Sequence, residues 1–297
     1  MNFFLADGIL LVNKPKGFSS YDVIREIKKV AHFKKIGHAG TLDPLATGLL
    51  IILFNNATKI FSIINSYPKV YRAKIRLGII TDTADLTGEI LERREVKGYE
   101  KEEIVRFLER YKGEIEQIPP SFSALKEKGI PQYLKARKGE AVSLRPRRVK
   151  IFAIELLSWE REFLEIRVEV SKGTYVRSLA RDIGEDLRCG GTLAELQRER
   201  IGKFRVEEAL SLPIISEEEI RKNCLPIEEA LYSFPEVILD KREIMDLRAG
   251  KRIPIANMET KEYIKVFSIR KDTLILAKKD GIFLKPMRVL YENSERR

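Results

Sequence analysis

The order of strands and helices written along this chain is compatible with an α+β protein, a class that periodicity alone does not name, and three observations show that compatibility. KVYRAKIRLG (69–78) alternates cleanly: Tyr71, Ala73, Ile75 and Leu77 share one face, and Arg72, Lys74 and Arg76 share the other. That is the pattern of a half-buried antiparallel strand, with an unusually cationic polar face. RRVKIFAIELL and EFLEIRVEVS then follow each other as a hairpin pair, the second with Leu164, Ile166, Val168 and Val170 on one face. Segments of helical periodicity lie between such strands, and from Phe234 the character changes to short β-like runs.

Element by element, GILLVNKPKGFSS predicts a short buried strand over 8–13 ended by a Pro-Gly turn. Ser19 or Ser20 then caps a helix whose apolar stripe is Val23, Ile24, Ile27, Val30 and Ala31. In GHAGTLDPLATGLLIILF (37–54) a glycine-rich loop runs into a buried strand over 49–54, and ATKIFSIINS predicts a short amphipathic helix. A helix over 101–111 carries Ile104, Phe107, Leu108 and Tyr111, with Gly113 as its stop. Residues 117–148 hold four prolines and many cations, the composition of a long surface loop. KGTYVRSLARDIGEDL predicts a helix with Thr174 as N-cap, and a second helix is expected from Thr192, where Glu195 completes a Thr-x-x-Glu capping box. The proline-bearing stretch 213–235 reads as a connection to a separate small β domain. There KREIMDLRAG forms one helix and YIKVFSI, TLILAKK and IFLKPMRVLY form strands.

The 297 residues allow one to two domains with a sizeable core. Lys+Arg 55 against Asp+Glu 44 gives a net charge of +11. Such a charge favours a polyanionic partner, nucleic acid above all, against the plain alternative of a basic soluble protein. Cys189 and Cys224 form no CxxC pair, and two histidines without HExxH spacing make no zinc site, so no metal is expected. No apolar run reaches the roughly 18 residues of a membrane span, and the cytoplasm is the expected location.

Asp43 is the residue that the glycine-rich loop sets apart. Pro44 disfavours the helical region for it, glycines 37, 40 and 48 permit close backbone approach, and the strand that follows anchors the loop. Two readings stand: an Asx-turn in an ordinary loop, or a carboxylate that acts as nucleophile. A nucleophilic carboxylate must be ionised, which a neighbouring arginine secures. Arg177 is the candidate, at about the third position of its helix. A cation there opposes the helix dipole unless it meets a carboxylate or phosphate, and a solvated surface arginine is the alternative. Tyr71 reads either as core or as a ring that stacks on a base beside cations. His38 reads as a loop residue or as a planar group filling the gap that a displaced base leaves. GxxxxGK[ST] is absent, and DTADLTGE (82–89) lacks the DxDxDG spacing of a calcium loop, so it is assigned no role.

These motifs, in order, resemble a known family. LLVNKPKGFSS, GHAGTLDPLATGLL, YRAKIRLG with TDTAD, PPSFSALK, KGTYVRSLARDIGEDL and RERIGKF are similar to the motifs of the TruB-type tRNA pseudouridine synthases, from residue 8 to about 205. The resemblance implies the pseudouridine synthase fold: a mixed, largely antiparallel central sheet with flanking helices over 1–233, and a small RNA-binding β-barrel of the PUA type over 234–297. It implies isomerisation of uridine-55 in the tRNA T-loop by base flipping, without a cofactor. The catalytic aspartate falls on Asp43, and the base-stacking tyrosine on Tyr71. Arg177 falls on the arginine that pairs with the aspartate. Tyr175 matches the neighbouring tyrosine, and His38 the histidine that fills the flipped base's place. Lys14 and Pro15 match a Lys-Pro pair with a structural role. An RNA-gripping, thumb-like insertion corresponds to about 118–150, with Arg145, Arg147 and Arg148 as contacts to the RNA backbone. The implied partner is the T-arm of tRNA, with no membrane, no obligatory protein partner and a monomeric enzyme. Two rivals stand beside this reading: a non-catalytic RNA-binding protein, and the protein subunit of a guide-RNA pseudouridylation complex. Asp43 argues against the first, and the insertion favours the stand-alone enzyme over the second.

Overall fold

The computed structural model describes residues 7–121, 126–127, 130–131, 145–214, 216–255 and 263–292. Its body is a ten-stranded sheet. The strands are β1 (Gly8–Lys14), β2 (Ile36–Ala39), β3 (Thr47–Phe54), β4 (Lys69–Leu77), β5 (Gly113–Gln117), β6 (Arg147–Glu160), β7 (Phe163–Val170), β8 (Gly191–Ile201), β9 (Phe204–Arg205) and β10 (Leu210–Ser211). They lie in the order β10–β1–β3–β8–β4–β7–β6–β5, with β2 on β3 and β9 on β8. Two of these pairings, β1 with β10 and β3 with β8, are parallel, and the others are antiparallel.

Burial explains the two kinds of strand seen in the sequence. β1 and β3 are covered on both faces, so they read as unbroken apolar runs. Leu10, Val12, Leu50 and Ile52 meet Val23, Ile24 and Ile27 of helix α1 (Ser20–Val30). Ile9, Leu11, Leu49, Ile51 and Leu53 join a second cluster with Ile63 and Ile64 of α2 (Phe61–Ser66). β4 alternates because one face only is apolar. Ala73 and Ile75 pack with Ile104 and Leu108 of α3 (Lys101–Glu109) and with Leu179, Ala180 and Ile183 of α4 (Val176–Asp186). Its cationic face is charge-matched: Arg72 pairs with Glu165 at 2.7 Å and Arg76 with Glu162 at 2.5 Å.

Several expectations change. The segment from Thr192 is the central strand β8 and not a helix. Thr192 is fully buried and its hydroxyl donates to the Ile79 carbonyl at 2.8 Å, so no capping box forms. Register shifts at Leu193/Glu195 and Arg198/Arg200 break the two-residue alternation, which hid the strand from a periodicity reading. Helix α4 starts one residue later than expected: Tyr175 is its N-cap, without a side-chain cap, while Thr174 Oγ1 donates to the Ser171 carbonyl at 3.0 Å. His38 lies in strand β2, opposite Ile52, and not in a loop.

The stretch 213–235 is no mere connection. It holds α5 (Glu217–Asn223), and it places Ile220, Ile227 and Leu231 in the two clusters that enclose β1 and β3. A five-stranded sheet follows, in the order β11 (Glu236–Leu239), β13 (Ile264–Ser268), β14 (Thr273–Asp280), β15 (Phe283–Glu292), β12 (Ile253–Pro254), with α6 (Lys241–Arg248) beside it. Phe267, Leu274, Leu276 and Leu290 of this sheet share an apolar cluster with Ile60 and Tyr67, so it is docked on the body. Between β5 and β6, the expected insertion shows Lys126–Glu127 paired with Ile130–Pro131. The rest of the insertion up to residue 144 lies almost wholly outside the described residues, as does the chain after 292.

Candidate active site

Two buried neighbours hold Asp43 out of the core. Leu42 and Ala46 are inserted beside Tyr71 and Val176, and Asp43 between them keeps a side chain 46% exposed. The turn after β1 braces the loop from outside. Ser20 Oγ accepts from the Leu42 amide at 2.9 Å, and the Gly17 amide donates to the Pro44 carbonyl at 2.8 Å. Lys14, fully buried, donates to the carbonyls of Pro15 and Phe18, fixing that turn. Burial pushes its ammonium down to about 8, and the Asp43 carboxylate is the largest influence opposing the fall.

The carboxylate meets Arg177, whose Nη2 stands 3.0 Å from Asp43 Oδ2. Arg177 is the second residue of α4 and is buried, so its first-turn position is occupied by an ion pair and not by solvent. A second carboxylate, Asp85, lies 3.5 Å from Arg177 Nη1, and the Thr83 carbonyl accepts from the same nitrogen at 3.1 Å. Asp85 is itself buried, and its Oδ1 accepts from Thr83 Oγ1 and from the Thr87 amide. The break in β8 pairing holds this loop: the Leu193 amide donates to Ala84 O and its carbonyl accepts from Leu86, each at 3.0 Å. DTADLTGE, given no role above, thus supplies the inner anchor of Arg177. The signal was the acidic residue in TDTAD, which spacing rules for calcium could not interpret.

Asp43, Arg177, Tyr71 and Tyr175 line one open cleft, together with Lys69 and Arg198. Sequence reasoning passed over the last two. Arg198 is the largest fully buried side chain among the described residues. Its Nε donates to Leu49 O and its Nη2 to Gly40 O, each at 2.7 Å, tying both ends of the Asp43 loop to β8. The guanidinium lies 6.0 Å from the centre of the Tyr71 ring. Gly40 and Gly48 have φ of +75° and +98°, and at Gly48 a Cβ would stand 2.3 Å from the Arg198 carbonyl, so the close approach excludes any side chain.

The remaining candidates lie elsewhere. His38, on β2, does not line the cleft, and burial with the nearby Arg198 depresses its imidazole below the usual range. Arg145, Arg147 and Arg148 are exposed at the root of the insertion, Arg147 and Arg148 in β6 opposite Gln117 and Glu116 of β5. That root is fastened to α4: Gln117 Oε1 accepts from the Tyr175 amide, and Ser178 Oγ donates to Ile118 O, each at 2.8 Å. Among the described residues, no three His, Cys, Asp or Glu side chains gather as a metal site. The cleft therefore presents a half-exposed carboxylate fixed by a buried guanidinium, with an aromatic ring in its lining.

The chain is similar to known proteins along most of its length. Residues 28–176 match the family model described as TruB family pseudouridylate synthase (N terminal domain), and residues 177–232 match that of the tRNA pseudouridylate synthase B C-terminal domain. The chain is 40% identical to the tRNA pseudouridine synthase B of Thermotoga petrophila, covering 97% of this chain and 96% of that protein. It is 41% identical to the protein of that name from Aquifex aeolicus, covering 96% and 99%. Among solved structures, a chain of an H/ACA ribonucleoprotein bound to a substrate RNA containing 2′-deoxyuridine superposes with a TM-score of 0.73 at 24% identity. That superposition covers 97% of this chain and 86% of the other, a likeness of fold.

Proposed function

This chain belongs to the TruB family of pseudouridylate synthases, and on that premise we propose that it converts uridine-55 in the T-loop of tRNA to pseudouridine. The observation that carries the reading is the Asp43–Arg177 pair at 3.0 Å, with Tyr71 on the same cleft. Uracil must leave carbon 1′ of the ribose through nitrogen 1, turn, and rejoin through carbon 5. Carbon 5 then loses its proton and nitrogen 1 gains one, so the reaction balances with no oxidant or cofactor.

Asp43 is the nucleophile, adding to carbon 6 of the base or to carbon 1′ of the ribose, and the guanidinium 3.0 Å away holds it in place and aims it. The target nucleotide is flipped out of its stack to reach it, at a cost of a few kcal/mol offset by stacking on Tyr71. Tyr175, beside Arg177, closes the same wall, and His38 occupies the space the base vacates. Arg145, Arg147 and Arg148 hold phosphates at the root of the insertion, and residues 234–297 act as an RNA-binding module of the PUA type.

The test is activity of the purified protein on an unmodified tRNA transcript, with no other protein or guide RNA. The expected result is one pseudouridine, at the T-loop uridine. Product at another position, or product only after a guide RNA is added, contradicts the proposal.

A further inference from the structure

The cations of the cleft differ in their counter-charges. Arg177 is flanked by the carboxylates of Asp43 and Asp85. Lys69 and Arg198 line the same cleft, and Lys172 lies close enough to repel Lys69. None of those three cations has a carboxylate within ion-pair distance among the described residues. Lys69 is 5% exposed, and its Nζ donates to one protein acceptor, the Asn65 carbonyl at 2.5 Å. Lys14, the other buried lysine nearby, donates to two carbonyls and has Asp43 and Asp22 in electrostatic reach. The difference matters, because a buried charge without a counter-charge is costly.

We propose that these three cations form a subsite for a phosphodiester of the substrate RNA, with Lys69 and Arg198 as its floor and Lys172 at its rim. The inference rests on the function proposed above and adds where the strand is gripped. Lys69 and Tyr71 lie two residues apart on one face of β4, about 7 Å along the strand. That spacing lets one nucleotide set its base against Tyr71 and a phosphate against Lys69. The groups facing Lys69 are the Asn65 carbonyl from α2, Arg198 from β8 and Lys172 from the segment before α4. Burial first, then Arg198 and Lys172, bring its ammonium down to about 7. A phosphate placed among these cations reverses that fall, so RNA binding takes up a proton.

Equilibrium binding of an unmodified T-arm stem-loop tests this, measured across pH and salt with wild-type protein, Lys69→Met, Lys69→Arg and Lys172→Gln. Wild-type affinity should be flat below about pH 7 and fall above it, approaching tenfold per pH unit before levelling. Lys69→Arg stays charged throughout and should lose that fall. Lys69→Met should bind on the order of tenfold more weakly below pH 7, with a log–log salt slope smaller by roughly 0.7–0.9. Lys172→Gln, an exposed change that leaves the core untouched, should move the fall to higher pH and reduce the salt slope. Millimolar inorganic phosphate at constant ionic strength should leave RNA binding unchanged. Unaltered affinity and pH profile in Lys69→Arg and Lys172→Gln overturn the subsite, and displacement of RNA by inorganic phosphate reassigns it to the free anion. Pseudouridine formation, assayed on the same wild-type preparation, separates these results from a failure of the function itself.

Discussion

Arg177 is held from two sides that differ in strength. Toward solvent it meets Asp43, which is half exposed, and pairs so placed are worth about 0–1 kcal/mol. Inward it meets Asp85, and both side chains are buried; removing one partner of such a pair costs about 3–5 kcal/mol. On the proposed function, stability and chemistry are therefore divided between two carboxylates on one guanidinium. Asp85→Asn should lower the urea midpoint by an amount equivalent to about 3 kcal/mol and reduce pseudouridine formation by at least an order of magnitude, because Arg177 loses its inner anchor. Urea denaturation and single-turnover assays on one preparation check both, and wild-type values in both would show that Arg177 needs no inner partner. At this scale the sequence announced Asp43, which Pro44 and the glycines set apart. It did not announce Asp85, Lys69 or Arg198, whose roles depend on contacts across 90 to 160 positions of chain.

Among the elements, β8 does the most to build the site. It pairs with β4, gives up its regular register at Leu193 to hold the Asp85 loop, and sends Arg198 under the Asp43 loop. Those same irregularities erased its alternation, so the sequence read as a capped helix. β4 and β7, which alternate regularly, were legible from residues alone; β2 and β5, at four and five residues, were too short to register. The join between β3 and β8 can be tested at Gly48. Gly48→Ala places a methyl 2.3 Å from the Arg198 carbonyl at a φ of +98°, so the strands must part. A loss of at least about 2 kcal/mol in unfolding free energy is expected, with activity falling alongside. Wild-type stability in this variant would show that the close approach is not required.

Taken as a whole, the molecule carries a net charge of +11, yet much of its visible cationic surface is matched by carboxylates, as on β4. Part of the positive charge sits inside, on Lys14 and Lys69, and their burial sets the pH dependence of stability. Lys14 and Lys69 are lowered to about 8 and about 7 from 10.5, so above about pH 7 the unfolded chain binds more protons than the folded one. Stability therefore rises with pH from about 7 to about 9, by up to roughly 1.4 kcal/mol per unit for each proton. Above pH 9 the half-buried Cys224 thiol, raised from 9.0 to about 11, opposes the rise, because the folded state then holds the extra proton. Urea midpoints at neutral and at mildly alkaline pH check this; Lys69→Met should be more stable than wild type at neutral pH, and a wild-type midpoint that falls between the two would contradict the burial argument. The central claim, that a single carboxylate performs the chemistry, is tested most directly by Asp43→Asn with enzyme in excess over unmodified tRNA. The half-exposed site tolerates the isosteric amide, so folding and tRNA affinity should stay within about threefold of wild type, while no pseudouridine forms even on prolonged incubation. Pseudouridine accumulating at the T-loop uridine in that variant would contradict the claim.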